Sequence, residues 1–282
     1  MLHAIRRGDS HTKRLTVMKC RGGACSREPD RVAEEMVLHV DLGGEFGFDT
    51  VISPSMLKQF TFGNLISEGI ISRPDEVTAY MEEKRGGMGS VRVRIPGLEK
   101  RAPYLKRNYG VIWADCGRKA PEYRRVGERL SRRKNGFRVG ARVVYTIVAS
   151  TSDRFREFRK TGGYHYAFIL DRRARVVCRA PDVSRHNAVD KVIGHEVLRG
   201  KSLEERVLFV TGRIGMDIAL KCIRCKIPLV VSRGAPLYQA VLLARKYNLG
   251  MVGFLRGPRF NIYSGEDAID LGKLRASPLH KA

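Results

Sequence analysis

Cys116 lies in Trp113-Ala-Asp-Cys-Gly-Arg-Lys119. A cysteine works as nucleophile or sulfur carrier through its thiolate, and neighbouring cations favour that anion. Arg118 and Lys119 are such cations, and Gly117 lets the backbone turn so that the sulfur can be presented. Single cysteines in loops are also common. Residue types alone therefore leave a reactive and an inert reading open.

A second group of residues points to phosphate. Thr211-Gly212-Arg213, Ser232-Arg233-Gly234-Ala235-Pro236 and Arg256-Gly257-Pro258-Arg259 each follow a short apolar run. If the runs are strands of one open α/β sheet, three successive strands deliver Arg and Gly at their C-terminal ends, the edge where such sheets bind ligands. Guanidinium groups bind phosphate through paired N–H donors, and glycine lets it approach the backbone. None of the three is a GxGxxG or Walker loop, which disfavours an ordinary NAD or ATP-hydrolysing site. Asp182-Val-Ser-Arg-His-Asn-Ala-Val-Asp-Lys191 opens an apolar helix that Ser184 or Asp182 could cap. Arg185, His186 and Asn187 at a helix start make an anion site; a capped helix with a salt bridge is the plainer alternative. His165, after Gly162-Gly163-Tyr164, reads as an acid, a base or a ligand contact, or as structural.

The six cysteines, in a chain this long, argue against a disulfide scaffold. Cys222 and Cys225 have CxxC spacing, but on an apolar helix beside Ile218, Ala219 and Ile223 two thiols are core filling. A zinc site needs about four ligands, and without a second CxxC or an HxxxH no metal site is expected. GxSxG, HExxH and deaminase zinc patterns are missing.

The net charge is +24, and residues 101–160 hold 17 Lys/Arg against 5 Asp/Glu, half of that excess. So basic a surface attracts polyanions: nucleic acid, a phosphate-rich cofactor or an acidic protein. No RNP, zinc-finger or helix-turn-helix signature accompanies it, and a solvated basic face is the bland alternative. No apolar run reaches the roughly 18 residues of a membrane span. Met1–Arg7 has no apolar stretch behind it, so a secretory signal is not expected and the cytoplasm is.

The elements that must position these residues can be read from periodicity. Residues 1–30 read as a basic flexible arm or an edge strand. Val37–Val40, the turn Gly43-Gly44 and Phe46–Ile52 read as a hairpin. Ser53-Pro54 opens a helix capped by Ser53, with Met56, Leu57, Phe60, Leu65 and Ile66 at helical spacing and Gly69 at its end. A strand is expected around Val91–Ile95. Residues from about 97 to 140 read as a long functional loop. A helical stretch runs from Val143 through Phe155 and Phe158, and a hairpin follows over Tyr166–Leu170 and Arg175–Cys178. Then apolar strands (Val207–Val210, Leu229–Val231, Met251–Leu255) alternate with helices (His186–Leu198, Met216–Cys225, Pro236–Tyr247), the mark of a parallel or mixed sheet covered by helices. The fold class is α/β: a smaller α+β domain over residues 31–140, then an α/β ligand-binding domain over 141–282.

Taken together, Thr161-Gly-Gly-Tyr-His165, the run Asp182–Gly194, Thr211-Gly-Arg213, Ser232–Pro236 and Gly253-Phe-Leu-Arg-Gly-Pro-Arg-Phe-Asn-Ile-Tyr263 resemble, in order, the blocks of the FdhD/NarQ family. Ala33-Glu-Glu35 and Phe62–Ile71 resemble its N-terminal segments, so the likeness spans about residues 32–265. It implies a cytidine-deaminase-like three-layer domain with a mixed sheet, lacking the deaminase zinc ligands. It also implies a sulfurtransferase that moves sulfur from a cysteine desulfurase, through a persulfide, to the molybdenum bis(molybdopterin guanine dinucleotide) cofactor needed by the formate dehydrogenase catalytic subunit. Cys116-Gly117 matches the opening of the family's CGxCG persulfide loop. Phe254, Leu255, Arg256, Gly257, Pro258 and Arg259 match its cofactor-binding segment. Arg213, Arg233, His165, Arg185, His186 and Asn187 are expected around the same cargo. Lys119 stands where the second loop cysteine falls; one persulfide is still chemically sufficient, since a thiolate can accept sulfane sulfur and hand it on. Ser184 replaces a glycine of the block. The alternatives are a cofactor-binding chaperone without sulfur transfer and a basic nucleotide- or RNA-binding protein; homodimer formation is left open.

Overall fold

A computed structural model gives the fold and describes residues 12–44, 46–101, 111–112, 130–133, 136–257 and 259–272. The described residues open on a hairpin of β1 (Thr12–Arg21) and β2 (Ala24–Ala33), paired antiparallel at ten positions. Gly22 and Gly23, both at positive φ (58° and 86°), form the two-residue loop whose twist suits a hairpin. Cys20 and Cys25 face each other in this ladder and are joined by a disulfide. From Thr12 on, the segment read as an arm or an edge strand is a two-stranded ribbon, and its disulfide, which the cysteine count did not reveal, staples one local turn and is no scaffold.

Next come β3 (Met36–Gly43), β4 (Phe46–Ile52), α1 (Leu57–Ser67), β5 (Ala79–Arg85), β6 (Met88–Arg94), the short α2 (Leu98–Arg101) and β7 (Val111–Ile112). The strands form one sheet in the order β5-β6-β3-β4-β7. Strict alternation in β3 buries Met36, Leu38, Val40 and Leu42 on one face, against Leu57, Phe60 and Leu65 of α1. Ser53 does not cap α1, which starts after Met56 at φ 55°. Ser53 is bonded elsewhere: its N–H donates to Asp182 Oδ2 (3.3 Å) and its hydroxyl accepts from Val183 N–H (3.1 Å).

The rest of the described chain comprises β8 (Val139–Gly140), α3 (Ala141–Ser152), α4 (Arg156–Thr161), β9 (His165–Leu170), β10 (Val176–Asp182), α5 (Arg185–Val197), β11 (Val207–Val210), α6 (Met216–Arg224), β12 (Leu229–Ser232), α7 (Tyr238–Tyr247), β13 (Gly250–Arg256), β14 (Arg259–Ser264) and β15 (Ile269–Asp270). Six of these strands make a mixed sheet in the order β10-β9-β11-β12-β13-β14. β11, β12 and β13 are parallel, and β9, β10 and β14 are antiparallel to their neighbours. Both faces are buried. Ala167, Ile169, Leu208, Val210 and Val230 pack with α5, α6 and α7; Tyr166, Phe168, Phe209 and Val231 pack with α3. The helical stretch expected from Val143 to Phe158 is two helices. It breaks so that Phe155 can turn into the core, its ring 5.2 Å from that of Tyr166 and 5.6 Å from that of Phe168. β14 was not anticipated, because no side chain from Arg259 to Tyr263 is fully buried.

The two sheets meet through α1 and α5. Gly63 and Gly194 let the helices cross backbone to backbone. Beside the crossing, Asp190 accepts from Asn64 Nδ2 (2.9 Å), Ser67 Oγ (2.7 Å) and Lys221 Nζ (2.8 Å). Fully buried Lys191 pairs with fully buried Asp182 at 2.5 Å and donates to the Ser53 carbonyl at 3.0 Å. Each of these charges has bonded partners, as buried charges require.

Candidate functional site

Strand direction decides where the predicted residues gather. Because β11, β12 and β13 run parallel, the segments after them leave from one edge. β9 runs the other way, so its first residue, His165, reaches that edge, and Asp182 at the end of β10 pairs with it. Helix α5 starts there, carrying Arg185, His186 and Asn187.

The segments are bonded to one another. Thr211 N–H donates to Tyr166 O (3.1 Å), and the Thr211 hydroxyl accepts from Tyr166 N–H (3.0 Å). Ser232 Oγ donates to Gly212 O (2.5 Å) and accepts from Gly234 N–H (2.8 Å). Phe254 N–H donates to Gly234 O (3.1 Å). Glycine gives a close fit at two of these points. A Cβ at Gly212 would lie 3.2 Å from Arg185 Cδ and 3.3 Å from His165 Nδ1. One at Gly234 would lie 3.1 Å from the backbone of Gly212 and Arg213. His165, Arg185 and the Gly212 turn are thus in contact.

Arg213, Arg233, Arg256 and Arg259 are exposed along this edge. Arg233 rests its guanidinium 5.8 Å from the centre of the Phe155 ring. Arg256 pairs with Arg259 across the β13–β14 turn, where Gly257 has φ 56°. The ladder between them is irregular from Gly253 to Arg256, and Phe254 sits within that bulge at φ 55°, its ring 6.5 Å from that of Tyr263. Bulges re-aim side chains, and backbone strain of this kind collects at functional sites. His186 Nε2 contacts the Asp217 carboxylate at the start of α6. Burial, the largest influence, pushes the Asp217 carboxyl up, but the His186 hydrogen bond and charge, the Ile218 N–H and the Arg185 charge together outweigh it and hold the group below the usual carboxylate range. Asp217 was not singled out from sequence; an acid at the second position of a helix gives no such signal. Ser184 does not cap α5: its hydroxyl is buried without a hydrogen-bond partner among the described residues.

Two predicted residues face elsewhere. Leu255 is wholly buried in the core beneath α3. Asn187 is buried, and its Nδ2 donates to the Val51 carbonyl at 2.8 Å, tying α5 to β4. Cys116 and Pro258 lie outside the described residues. Cys222 and Cys225 are buried, as core filling requires, and burial pushes the Cys225 thiol up to about 12. Among the described residues, no cluster of three metal-ligating side chains occurs and no helix is long and apolar enough to cross a membrane.

The model of the FdhD/NarQ family matches residues 33–270. The chain belongs to this family. A sulfur carrier protein FdhD from Streptomyces avermitilis is 32% identical over 272 residues, covering 92% of this chain and 96% of the relative. One from Bacillus pumilus is 29% identical over 258 residues, covering 91% and 97%. A crystal structure of a formate dehydrogenase accessory protein from Desulfotalea psychrophila shares the fold. Its TM-score is 0.68 at 21% identity, over 92% of this chain and 99% of that one. The FdhD/NarQ match begins at Ala33, where the hairpin β1–β2 ends.

Proposed function

We propose that this FdhD/NarQ member is a sulfur carrier in formate dehydrogenase maturation. It takes sulfur from a cysteine desulfurase as a persulfide on Cys116. It passes that sulfur to a molybdenum bis-guanine-dinucleotide cofactor, held as cargo at the edge of the six-stranded sheet. The observation that carries this reading is the gathering of Arg213, Arg233, Arg256 and Arg259 on one sheet edge, next to His165, Arg185 and His186, in a chain whose relatives are sulfur carriers by name. The guanidiniums suit the pyrophosphates, which present paired oxygens to forked donors. Gly257 lets a phosphate approach the backbone, and Phe254 offers a ring face to a guanine. Arg185 adds positive charge at the head of α5, beside His186 braced by Asp217, where helix N–H groups already favour anions. The three-layer sheet suits the expected cytidine-deaminase-like arrangement.

In the transfer itself, the Cys116 thiolate attacks the outer sulfur of the donor's persulfide and releases the donor thiolate. Cys116→Ala should abolish delivery of radiolabelled sulfur from a desulfurase to the cofactor and leave GDP binding intact by equilibrium dialysis. A variant that still delivers the label removes Cys116 from the scheme. A cofactor-binding chaperone is the second reading. Lys119, in place of the second loop cysteine, favours it, and it predicts that no persulfide forms on Cys116.

A further inference from the structure

The hairpin β1–β2 carries chemistry that the sheet edge does not use. Among the described residues, Cys20 and Cys25 are the cysteines that face solvent; Cys178, Cys222 and Cys225 are buried. The pair stands before the first residue matched by the family model. Cys20 opposes Cys25 one position out from Arg21↔Ala24, the pair flanking Gly22-Gly23. Because side chains alternate along a strand, Cys20, Cys25, Met18 and Arg27 share a face. Lys19 is paired with Asp30 at 3.4 Å and Arg21 with Glu28 at 3.6 Å, whereas no acid is paired with Arg27 among the described residues. An unneutralised guanidinium two residues from Cys25 along the strand and diagonal to Cys20 across it, on the same face, places a cation beside both sulfurs.

The bond is not alone in setting the hairpin. The Gly-Gly turn and ten paired positions already fix its register. Nor does it lie over a core, since Leu15 and Met18 on the same strand are exposed. The base of the ribbon is anchored beside His165: Glu34 N–H donates to the Tyr164 hydroxyl at 3.3 Å. Ten residues at about 3.3 Å each carry its tip ~30 Å from that anchor. The thiols are therefore open to diffusible reactants and remote from a ligand seated on the edge.

We propose that Cys20 and Cys25 form a redox-active dithiol–disulfide centre whose substrates are the S–S bonds of small persulfides and disulfides. A small dithiol first reduces the bond; its two thiols become a disulfide, and Cys20 and Cys25 receive the two hydrogens. The Cys25 thiolate then attacks the sulfane sulfur of R–S–SH, forming Cys25–S–SH and releasing RS⁻. The Cys20 thiolate attacks Cys25 Sγ; the Cys20–Cys25 bond forms, the bond to the sulfane sulfur breaks, and HS⁻ leaves. Two electrons have passed from the dithiol to the sulfane sulfur. With a small disulfide R–S–S–R, the same two attacks release two RS⁻. This site is independent of the sheet-edge reading and stands if that reading fails.

The test uses the full chain, reduced with dithiothreitol, desalted, and mixed with glutathione persulfide or with oxidised glutathione. The double variant Cys20→Ser/Cys25→Ser sets the background from the other cysteines. About one equivalent of sulfide per chain above that background is expected from the persulfide, with the Cys20–Cys25 bond restored in peptide mass spectra. Cys20→Ser should accumulate a persulfide or mixed disulfide on Cys25, and Cys25→Ser should accumulate the same on Cys20. Arg27→Gln should slow the first attack several-fold with circular dichroism unchanged. Closure by oxidised glutathione without sulfide from the persulfide overturns the sulfane-sulfur assignment. A bond that resists excess dithiothreitol in the folded protein, or a wild type indistinguishable from the double variant, overturns the whole proposal.

Discussion

Gly63 of α1 and Gly194 of α5 touch with no side chain between the helices. A Cβ on Gly63 would lie 1.8 Å from the Asp190 carbonyl oxygen, and one on Gly194 would lie 1.8 Å from that of Gln59. The obstacle in each case is backbone, which cannot rotate aside. Either glycine changed to alanine should destabilise the protein by about 3 kcal/mol, the upper end of ordinary overpacking. Urea midpoints would measure it, and a loss below about 1 kcal/mol would show that the helices slide apart freely.

The buried pair Asp182–Lys191 makes a second prediction. Lys191→Met strands the Asp182 carboxylate among the Ser53 and Ser184 N–H donors, without its counter-charge. Breaking one partner of such a pair typically costs about 3–5 kcal/mol. The double change Asp182→Asn/Lys191→Met should cost less than Lys191→Met alone, because no lone charge is left behind. A double variant that is the weaker of the two would contradict this account.

Acid should unfold the protein partly through Asp217 and Glu196. Burial raises both carboxyls, but His186 together with the Ile218 N–H and Arg185 outweighs it at Asp217, and His195 with Arg206 outweigh it at Glu196, so both end below their ordinary values. A depressed folded value means stability that is fully present above the unfolded value, about 4, and is lost as pH falls through the lower folded value. Asp217→Asn should therefore flatten the decline in stability below about pH 4 and leave its shape above about pH 6 unchanged. An unchanged acid limb would refute the His186–Asp217 pairing.

The sheet edge makes its own prediction. Arg213→Ala and Arg233→Ala should each weaken GDP binding about tenfold or more, as expected for hydrogen bonds between charged groups. Arg92→Ala, in the five-stranded sheet where Arg92 pairs with Asp41, should leave it unchanged. Calorimetry at fixed salt would check both, and equal losses at all three positions would mean diffuse charge attraction instead of a site.

Much of this was legible before any coordinates. The parallel strands announced themselves as uninterrupted apolar runs because both faces of the sheet are covered. The edge followed from the Arg and Gly residues that terminate those runs. Other features carried no local signal. β5 is mostly exposed and therefore unpatterned. Ser53 looked like a cap, yet it bonds to Asp182 and Val183, about 130 positions away. Leu255 and Asn187 sit within family-like blocks but serve the core and the α5–β4 contact, a distinction that depends on which way a side chain points. The Cys20–Cys25 bond was missed because a whole-chain count cannot see a two-residue turn.

The carboxylate of Asp190 bears on ancestry. Its donors come from positions 64, 67 and 221, so segments on either side of the crossing must be inherited as a set. A chimera spliced from two relatives between positions 70 and 180 would inherit Asn64 and Ser67 from one parent and Asp190 and Lys221 from the other. Splices there should yield insoluble protein unless both parents use the same quartet, and breakpoints after position 225 should be forgiven.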